Sequence, residues 1–573
     1  MKAIRRSIQL SSLIALSIAL SVMEARADAN SVVLENATNG PLDAYTGRDV
    51  VIGQVEGAMP DSNQVYLLNQ IVGTTNLYYG TPGPSFGSGH ATQVAGVMVS
   101  TNPATVGVAV GAKVYSVYGL IGPDPIAGAT NDDLDFQTNV VNAAAFLASQ
   151  PKVRVINMSI GLDSVTNTGF GGGVPLNIGR TYNTSGTSVW ERALDNIIST
   201  KAVSIVVAAG NEGRRASAGA NSDGGTNTLG EQAGAYNLIA VGSVTNATAG
   251  TATNVSAFSS RGYLANGRSA LDIVAPGQGI VMPQTNNTPG GGGTNTKTSN
   301  GTSFAAPAVA AVIARMVEAS SNRFNGSPPV AADAQDPRTM KAFLLNSATK
   351  LTGWGQGKVF GGTAGLNGVL TGGVTSVTQP LDPNQGAGLL NANGAYLQMA
   401  AGKKSPTIAQ KQFINIINSS VGLTGWDFTS VTLSLTNIYQ VGERAAGTMA
   451  ITLDWYRDVG AAVAGTNRIL GMANLNLYLY SSADSAFTNV SLLAQSISGV
   501  DNVEHLWFTN LPTAYYQFTV GYAGYDSLGG PTVADETYGL AWDFTAVPEP
   551  STLLLAALGI STLWWQSKRR RRT

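Results

Sequence analysis

The chain of 573 residues contains no cysteine, which excludes disulfides, zinc–thiolate sites and thiol nucleophiles. Histidine is almost as scarce: His90 and His505 are the only two. Any chemistry that needs an imidazole base therefore has two candidates. Charge is sparse and balanced, with 33 Lys plus Arg against 34 Asp plus Glu and 12% of residues charged. That balance gives no basic surface for nucleic acid, and none is expected as a partner. The one dense basic run is Lys568 to Arg572, at the C-terminal end. The length is too great for one ordinary core, so one domain of roughly 300 residues and a smaller one are expected.

Both ends carry sorting patterns. Lys2, Arg5 and Arg6 precede an apolar stretch from Ile8 to Met23 and then Ala25-Arg26-Ala27. This is the order of a secretory signal, residues 1–27, cut by signal peptidase after a small-x-small site. Residues 28–44 then form a short N-terminal segment. At the other end, Val547-Pro548-Glu549-Pro550 precedes an apolar run Leu553 to Trp565 and the basic cluster. That run falls short of the roughly 20 residues of a spanning helix, and its basic end belongs on the cytoplasmic side. Residues 547–573 resemble the PEP-CTERM sorting signal of Gram-negative exported proteins. The resemblance implies transient membrane association, removal by an exosortase-type enzyme, and a final place at or beyond the cell surface. A permanent anchor is the alternative.

Between these ends the texture changes once. From Tyr45 to Ala401 short apolar β-branched runs alternate with helical patterns, the mark of an α/β domain with a mostly parallel sheet. The strands are expected at Val50–Val55, Lys113–Tyr118, Val153–Asn157, Val203–Ala209, Leu238–Gly242 and Leu271–Ala275. The clearest helix runs from Ser188 to Thr200, where Ser188 and Glu191 form a capping-box pair and Val189, Ala193, Leu194, Ile197 and Ile198 make an apolar face. Gly290–Lys297 and Thr352–Pro380 read as surface loops. Over residues 405–546 the period becomes two, at Val431–Thr436, Ile451–Trp455, Leu475–Leu479, Tyr516–Val520 and Tyr538–Trp542, which predicts an antiparallel β-sandwich.

Chemistry concentrates in Asn300-Gly-Thr-Ser-Phe-Ala-Ala-Pro307. This run opens a helix through Val309, Val312, Ile313 and Met316, so Ser303 sits where unpaired N–H groups and the helix dipole favour developing negative charge. A serine hydroxyl needs a base to become a nucleophile. His505 falls in the sandwich region. His90 opens Gly89-His-Ala-Thr-Gln-Val-Ala-Gly96, a helix whose apolar side is buried while its start faces outward. Asn211 follows the apolar strand ending at Ala209, which brings its side chain out at a strand's C-terminal end.

These stretches resemble the subtilases. The matching segments are Gly47–Gly57, Gly89–Gly96, Val155-Ile-Asn-Met-Ser-Ile-Gly161, Val206-Val-Ala-Ala-Gly-Asn-Glu-Gly213, Ala257-Phe-Ser-Ser260, Ala275-Pro-Gly277 and Asn300–Pro307, in one order across residues 45–401. The resemblance implies a subtilisin-like three-layer domain and a serine endopeptidase acting on protein or peptide substrates through an acyl-enzyme. In that mechanism Ser303 attacks the carbonyl, His90 relays the proton, and Asn211 with the Ser303 N–H stabilises the oxyanion. Ser159, Ile160 and Gly161 correspond to the segment that pairs with an extended substrate. No cofactor is required. Calcium stabilises many members of the family, but Ser100–Val106 offers no carboxylate ligands and no site is assigned.

The acid departs from the family pattern. Where the family has Asp-Ser/Thr-Gly, this chain has Glu56-Gly57-Ala58. Glu56 is expected to orient His90 with one methylene more of reach; Asp49 and Asp61 are the alternatives, both out of register with the motif. A Glu-Asp-Ser arrangement of the sedolisin type is disfavoured by the full motif around His90. A surface or binding protein that keeps the fold with a weakened triad is the alternative function.

Overall fold

Each of the six apolar runs becomes a strand of one sheet, because each is apolar on both sides and leaves no face for water. The computed structural model describes residues 40–77, 89–118, 132–160, 167–168, 175–176, 186–213, 228–245, 254–264, 266–285, 293–356, 368–370, 373–410, 420–463, 466–525 and 534–546. The signal and tail segments, 1–27 and 547–573, and Gly161 lie outside these residues.

The strands are β1 (Val51–Val55), β2 (Ile71–Asn76), β3 (Lys113–Tyr118), β4 (Val153–Met158), β7 (Ser204–Ala208), β8 (Ile239–Thr245), β9 (Ile273–Pro283) and β10 (Thr296–Asn300). The short β5 (Asn167–Thr168) and β6 (Pro175–Leu176) pair only with each other. The sheet order is β10-β9-β8-β7-β4-β1-β3-β2. Only β10 is antiparallel to its neighbour. Two strands had no apolar signal: β2 is half-buried and β10 is an exposed edge reading Thr-Lys-Thr-Ser-Asn. The open edge of β9 holds β10 by a backbone ladder, with Asn300 Oδ1 also accepting the Gly279 N–H at 2.7 Å, so part of the expected Gly290–Lys297 loop is strand.

Alternate side chains of each strand feed two cores, which makes three layers. Ile52, Val155, Val206 and Val241 pack on one face with α1 (Gly89–Val99) and α4 (Thr302–Arg323). Val55, Ile156, Val207 and Ala240 pack on the other with α2 (Asp132–Ala148) and α3 (Val189–Lys201). Helix α4 is long and apolar enough to cross a membrane, yet 89% of its apolar window is buried in the protein. It is the core helix of the sheet, as all-round hydrophobicity requires. The α3 capping box is present, with the Glu191 N–H donating to Ser188 Oγ and the Ser188 N–H to Glu191 Oε2. Its buried face differs from the apolar one expected: Glu191 and Asp195 are buried, while Val189 and Ala193 are only partly so.

That difference comes from the second unit. Helices α5 (Pro328–Gln335) and α6 (Pro337–Ser347), strand β11 (Thr375–Val377) and helix α7 (Ala392–Ala400) lead into strands β12 (Thr407–Gln410), β13 (Ser420–Val421), β14 (Thr424–Thr432), β15 (Leu435–Val441), β16 (Ala445–Trp455), β17 (Arg457–Val463), β18 (Thr466–Ser482), β19 (Val490–Ser496), β20 (Val503–Tyr525) and β21 (Asp535–Ala546). Strand β20 pairs with β16 over its first half and with β18 and β15 over its second. It thereby joins two mostly antiparallel sheets around Trp455, Trp542, Tyr439 and Phe518. The run Val431–Thr436 is not one strand: Val431 and Thr432 end β14, Leu433 and Ser434 make a turn with Ser434 at φ 73, and Leu435 and Thr436 begin β15.

Thr452 and Asp454 of β16 face α6 and its neighbours rather than water. Thr452 donates to Asn346 Oδ1 at 3.0 Å. Lys341 lies 2.9 Å from Asp272 and 3.8 Å from Asp454. Arg457, fully buried, reaches Asp195 on α3 at 2.7 Å. Strand β11, from within residues 45–401, joins β19 in parallel.

Candidate active site

Strands β1, β4 and β7 are neighbours, and Val55, Met158 and Val207 occupy one row across them. The residues just beyond that row emerge together at the carboxyl ends. The chain lays β2 and β3 on one flank of β1 and β4 onward on the other, so the order reverses beside β1, where open α/β sheets place their ligand sites. Glu56 follows β1, Ser159 follows β4, and Asn211 follows β7.

Glu56 is buried and its N–H donates to Val117 O at 3.0 Å. Its Oε2 lies 3.1 Å from His90 Nδ1, while Oε1 is buried with no hydrogen-bond partner. The longer acid thus reaches the histidine. Neither alternative acid does so: Asp49 is exposed and pairs with Lys152, and Asp61 bonds Thr285 and the Asn63 N–H. Burial opposes the charged form of His90, but the charge and hydrogen bond of Glu56 outweigh it and raise its pKa. The His90 side chain is 41% exposed, at the start of a helix that is buried from Ala91 to Val99. The motif around it is explained by packing. Thr92 Oγ1 accepts the Asp61 N–H at 2.9 Å, tying α1 to the loop after β1. A Cβ on Gly96 would stand 2.6 Å from Pro283 Cδ.

Ser303 is the second residue of α4, and Phe304 packs against the His90 ring at 5.5 Å between centroids. The Ser303 hydroxyl donates to Ser159 O at 3.3 Å. No hydrogen bond joins Ser303 to His90 among the described residues; such bonds often tighten only when substrate binds. The Thr302 N–H donates to Asn211 Oδ1 at 2.9 Å. Because an N–H has only a proton to give, Asn211 must present its oxygen there and its Nδ2 elsewhere. Asn211 is exposed. Gly210, at φ 106, turns the chain so that Asn211 emerges, and a Cβ there would stand 2.8 Å from Ser260 Oγ. Among the described residues the Ser303 N–H has no acceptor.

Two further side chains, not singled out by the sequence pattern, brace this loop. Thr302 Oγ1 holds both the N–H and the carbonyl of Gly210, each at 3.1 Å. Ser260 Oγ accepts the Glu212 N–H at 3.0 Å. Both lie in motifs that matched, which was the available signal. Ile160 is buried beside Ser159.

His505 is committed elsewhere. The Thr452 hydroxyl is given to Asn346, so His505 Nδ1–H donates to Thr452 at 2.8 Å and Nε2 accepts from Lys350 at 3.0 Å. Burial and the nearby Lys350 hold its pKa well below the ordinary value. A cavity of about 340 Å³ between Arg48, Asp49, Lys152 and Arg154 lies at the opposite, amino-terminal ends of β1 and β4, away from Ser303. Among the described residues, no group of three or more Asp, Glu or His is placed to hold a metal ion.

A parallel α/β sheet whose strand ends gather a helix-start serine, a carboxylate-held histidine and an oriented amide has the architecture of a serine hydrolase. The family model described as "Subtilase family" matches residues 63–388, more than half of the chain, and the chain belongs to that family of serine peptidases. Over 273 residues it is 27% identical to Subtilisin DY of Bacillus licheniformis, covering 47% of this chain and 77% of that protein. Among solved structures it is similar to the Prenylagaramide maturation protease PagA, at 21% identity over 62% of this chain and 96% of that one, TM-score 0.40. It is also similar to a serine protease of Aeromonas sobria, at 16% identity over 87% and 89% of the two chains, TM-score 0.43. Residues 546–571 match the PEP-CTERM protein-sorting motif.

Proposed function

We propose that this subtilase is an exported endopeptidase that works with a Ser303–His90–Glu56 triad. Glu56 holds His90 in the tautomer with its proton on Nδ1, leaving Nε2 to take the proton of the Ser303 hydroxyl. The hydroxyl oxygen then attacks the peptide carbonyl; Asn211 Nδ2 and the Ser303 N–H receive the developing oxyanion. His90 returns the proton to the leaving amine, an acyl-enzyme forms on Ser303, and water releases it by the same proton path. Ser159 and Ile160, with Gly161 next in the sequence, receive the substrate backbone. The single observation that carries this reading is the 3.1 Å contact between His90 Nδ1 and Glu56 Oε2, since the glutamate was the one departure from the family pattern.

Export follows from the basic, apolar and small-x-small order of residues 1–27, and the sorting motif at the other end is the substrate of an exosortase-type enzyme. The second reading, a binding protein with a weakened triad, draws on the Ser303 hydroxyl being turned to Ser159 rather than to His90. A fluorophosphonate probe separates the two. The purified protein is expected to be labelled, and Ser303→Ala to abolish labelling. Absence of labelling in the wild type across pH would sink the protease reading.

A further inference from the structure

Pro307 stands four residues after Ser303 inside α4. In an α-helix the N–H of residue i donates to the carbonyl of residue i−4, and proline has no N–H to give. The carbonyl of Ser303 is therefore left without its ordinary helical donor. It accepts instead from Ser159 Oγ at 2.8 Å. Ser159 is buried, and its Oγ in turn accepts from Asn157 Nδ2 at 2.9 Å. With its lone pair facing the amide, the Ser159 hydroxyl has its proton committed to Ser303. In the other direction, the Ser303 hydroxyl donates to the Ser159 carbonyl at 3.3 Å. The two serines are joined twice, once through the side chain of each.

We infer that the Ser159 side chain is a positioning residue for the nucleophile, and that Pro307 serves by freeing the carbonyl on which Ser159 acts. This rests on the reading of Ser303 as the nucleophile. An ordinary helical bond would tie the Ser303 peptide only to its own helix. The bond from Ser159 ties it to the end of β4, in the row next to Val55 and hence level with Glu56. Nucleophile and acid are thereby referred to the same sheet edge rather than to two elements free to shift against each other. Asn157, on β4 itself and fully buried, fixes the direction of the Ser159 hydroxyl.

The test is a double-mutant cycle on the full chain, measuring kcat and KM on a chromogenic peptide together with thermal unfolding. Ser159→Ala leaves the Ser303 carbonyl with neither donor. It is expected to lower kcat roughly ten- to hundredfold, the scale of a small misplacement of a reacting group, with KM within about twofold. Ser159→Thr keeps a hydroxyl and is expected to retain kcat within about fivefold of wild type. The decisive variant is Ser159→Ala with Pro307→Ala, in which the new N–H at 307 supplies the missing donor. It is expected to recover most of the lost kcat, so that the two changes couple rather than multiply. Independent, multiplying effects would overturn the inference, as would a Ser159→Ala variant changed in KM alone. Failure of the nucleophile reading would appear separately, as fluorophosphonate labelling that survives Ser303→Ala.

Discussion

Replacing Glu56 by glutamine keeps the length of the side chain and removes the charge that faces His90. At the observed 3.1 Å, attraction between a carboxylate and an imidazolium is about 5 kcal/mol at an effective dielectric constant of about 20 and about 1.3 kcal/mol at about 80. The His90 side chain is 41% exposed, so solvent screening sets the loss between those limits. At about 1.4 kcal/mol per factor of ten, kcat should fall between about tenfold and about 10⁴-fold. The amide adds a second loss wherever its NH₂ donates to Nδ1 and imposes the wrong tautomer. The pH profile carries an independent signature. His90 must be neutral to accept a proton, and its pKa is raised because Glu56 outweighs the opposing effect of burial. Wild-type kcat/KM should therefore climb through a pKa above the ordinary value of about 6.5, and in Glu56→Gln that limb should move to lower pH. The assay is kcat and kcat/KM on a chromogenic peptide from about pH 5 to about pH 9, a range that brackets a perturbed histidine. A variant with unchanged kcat and an unmoved acid limb would refute the triad.

Three further outcomes are expected. Asn211→Ala should lower kcat about 10²- to 10³-fold with little change in KM, a magnitude taken from the corresponding asparagine of a subtilisin rather than worked out from this structure; a change confined to KM would remove Asn211 from the oxyanion site. Arg457→Met leaves Asp195 buried without its cation and should destabilise the protein by about 3–5 kcal/mol in urea unfolding, whereas a loss under about 1 kcal/mol would show that the two units do not depend on this pair. Glu191 has its pKa raised to about 7 by burial, against the opposing hydrogen bonds of Ser188 and the charges of Arg457 and Arg268, and its buried Oε1 has no partner. Since the folded pKa lies above the unfolded one, its favourable contribution is full below about pH 4.5 and is lost as pH rises to about 7. Glu191→Gln keeps the capping box and should flatten that decline, making the variant the more stable one at pH 8 by thermal unfolding; an unaltered pH dependence would count against a protonated Glu191.

Much of the first unit was legible because its strands are buried on both faces, and burial writes continuous apolar runs into the sequence. The same logic hid β2 and β10, edge strands that bury few of their side chains. It located β16 but not what its polar side meets. Alternation of apolar and polar residues ordinarily marks a strand with one face in water, but Thr452 and Asp454 are buried against α6 and its neighbours. Pattern distinguishes polar from apolar and cannot say what a polar residue is polar towards. The α3 helix shows the reverse error, its apolar face extended by Asp195 because Arg457 arrives from 262 residues away.

By itself the sequence determined which residues are candidates for the chemistry: with no cysteine and two histidines, and with Ser303, His90 and Asn211 each in a dense motif, the inventory left few choices. It also placed a glutamate, Glu56, where the family pattern has an aspartate. Only the tertiary structure decided that this glutamate reaches His90, since one methylene of extra length is acceptable or ruinous depending on where β1 ends relative to α1. Only the fold brings the Ser303 carbonyl, which Pro307 leaves without a helical donor, to the Ser159 hydroxyl just past the end of β4, a neighbour in space that is remote along the chain. Residue type sets what a group can do, whereas the distances that let it do so come from packing between segments whose separation in sequence carries no record of their approach.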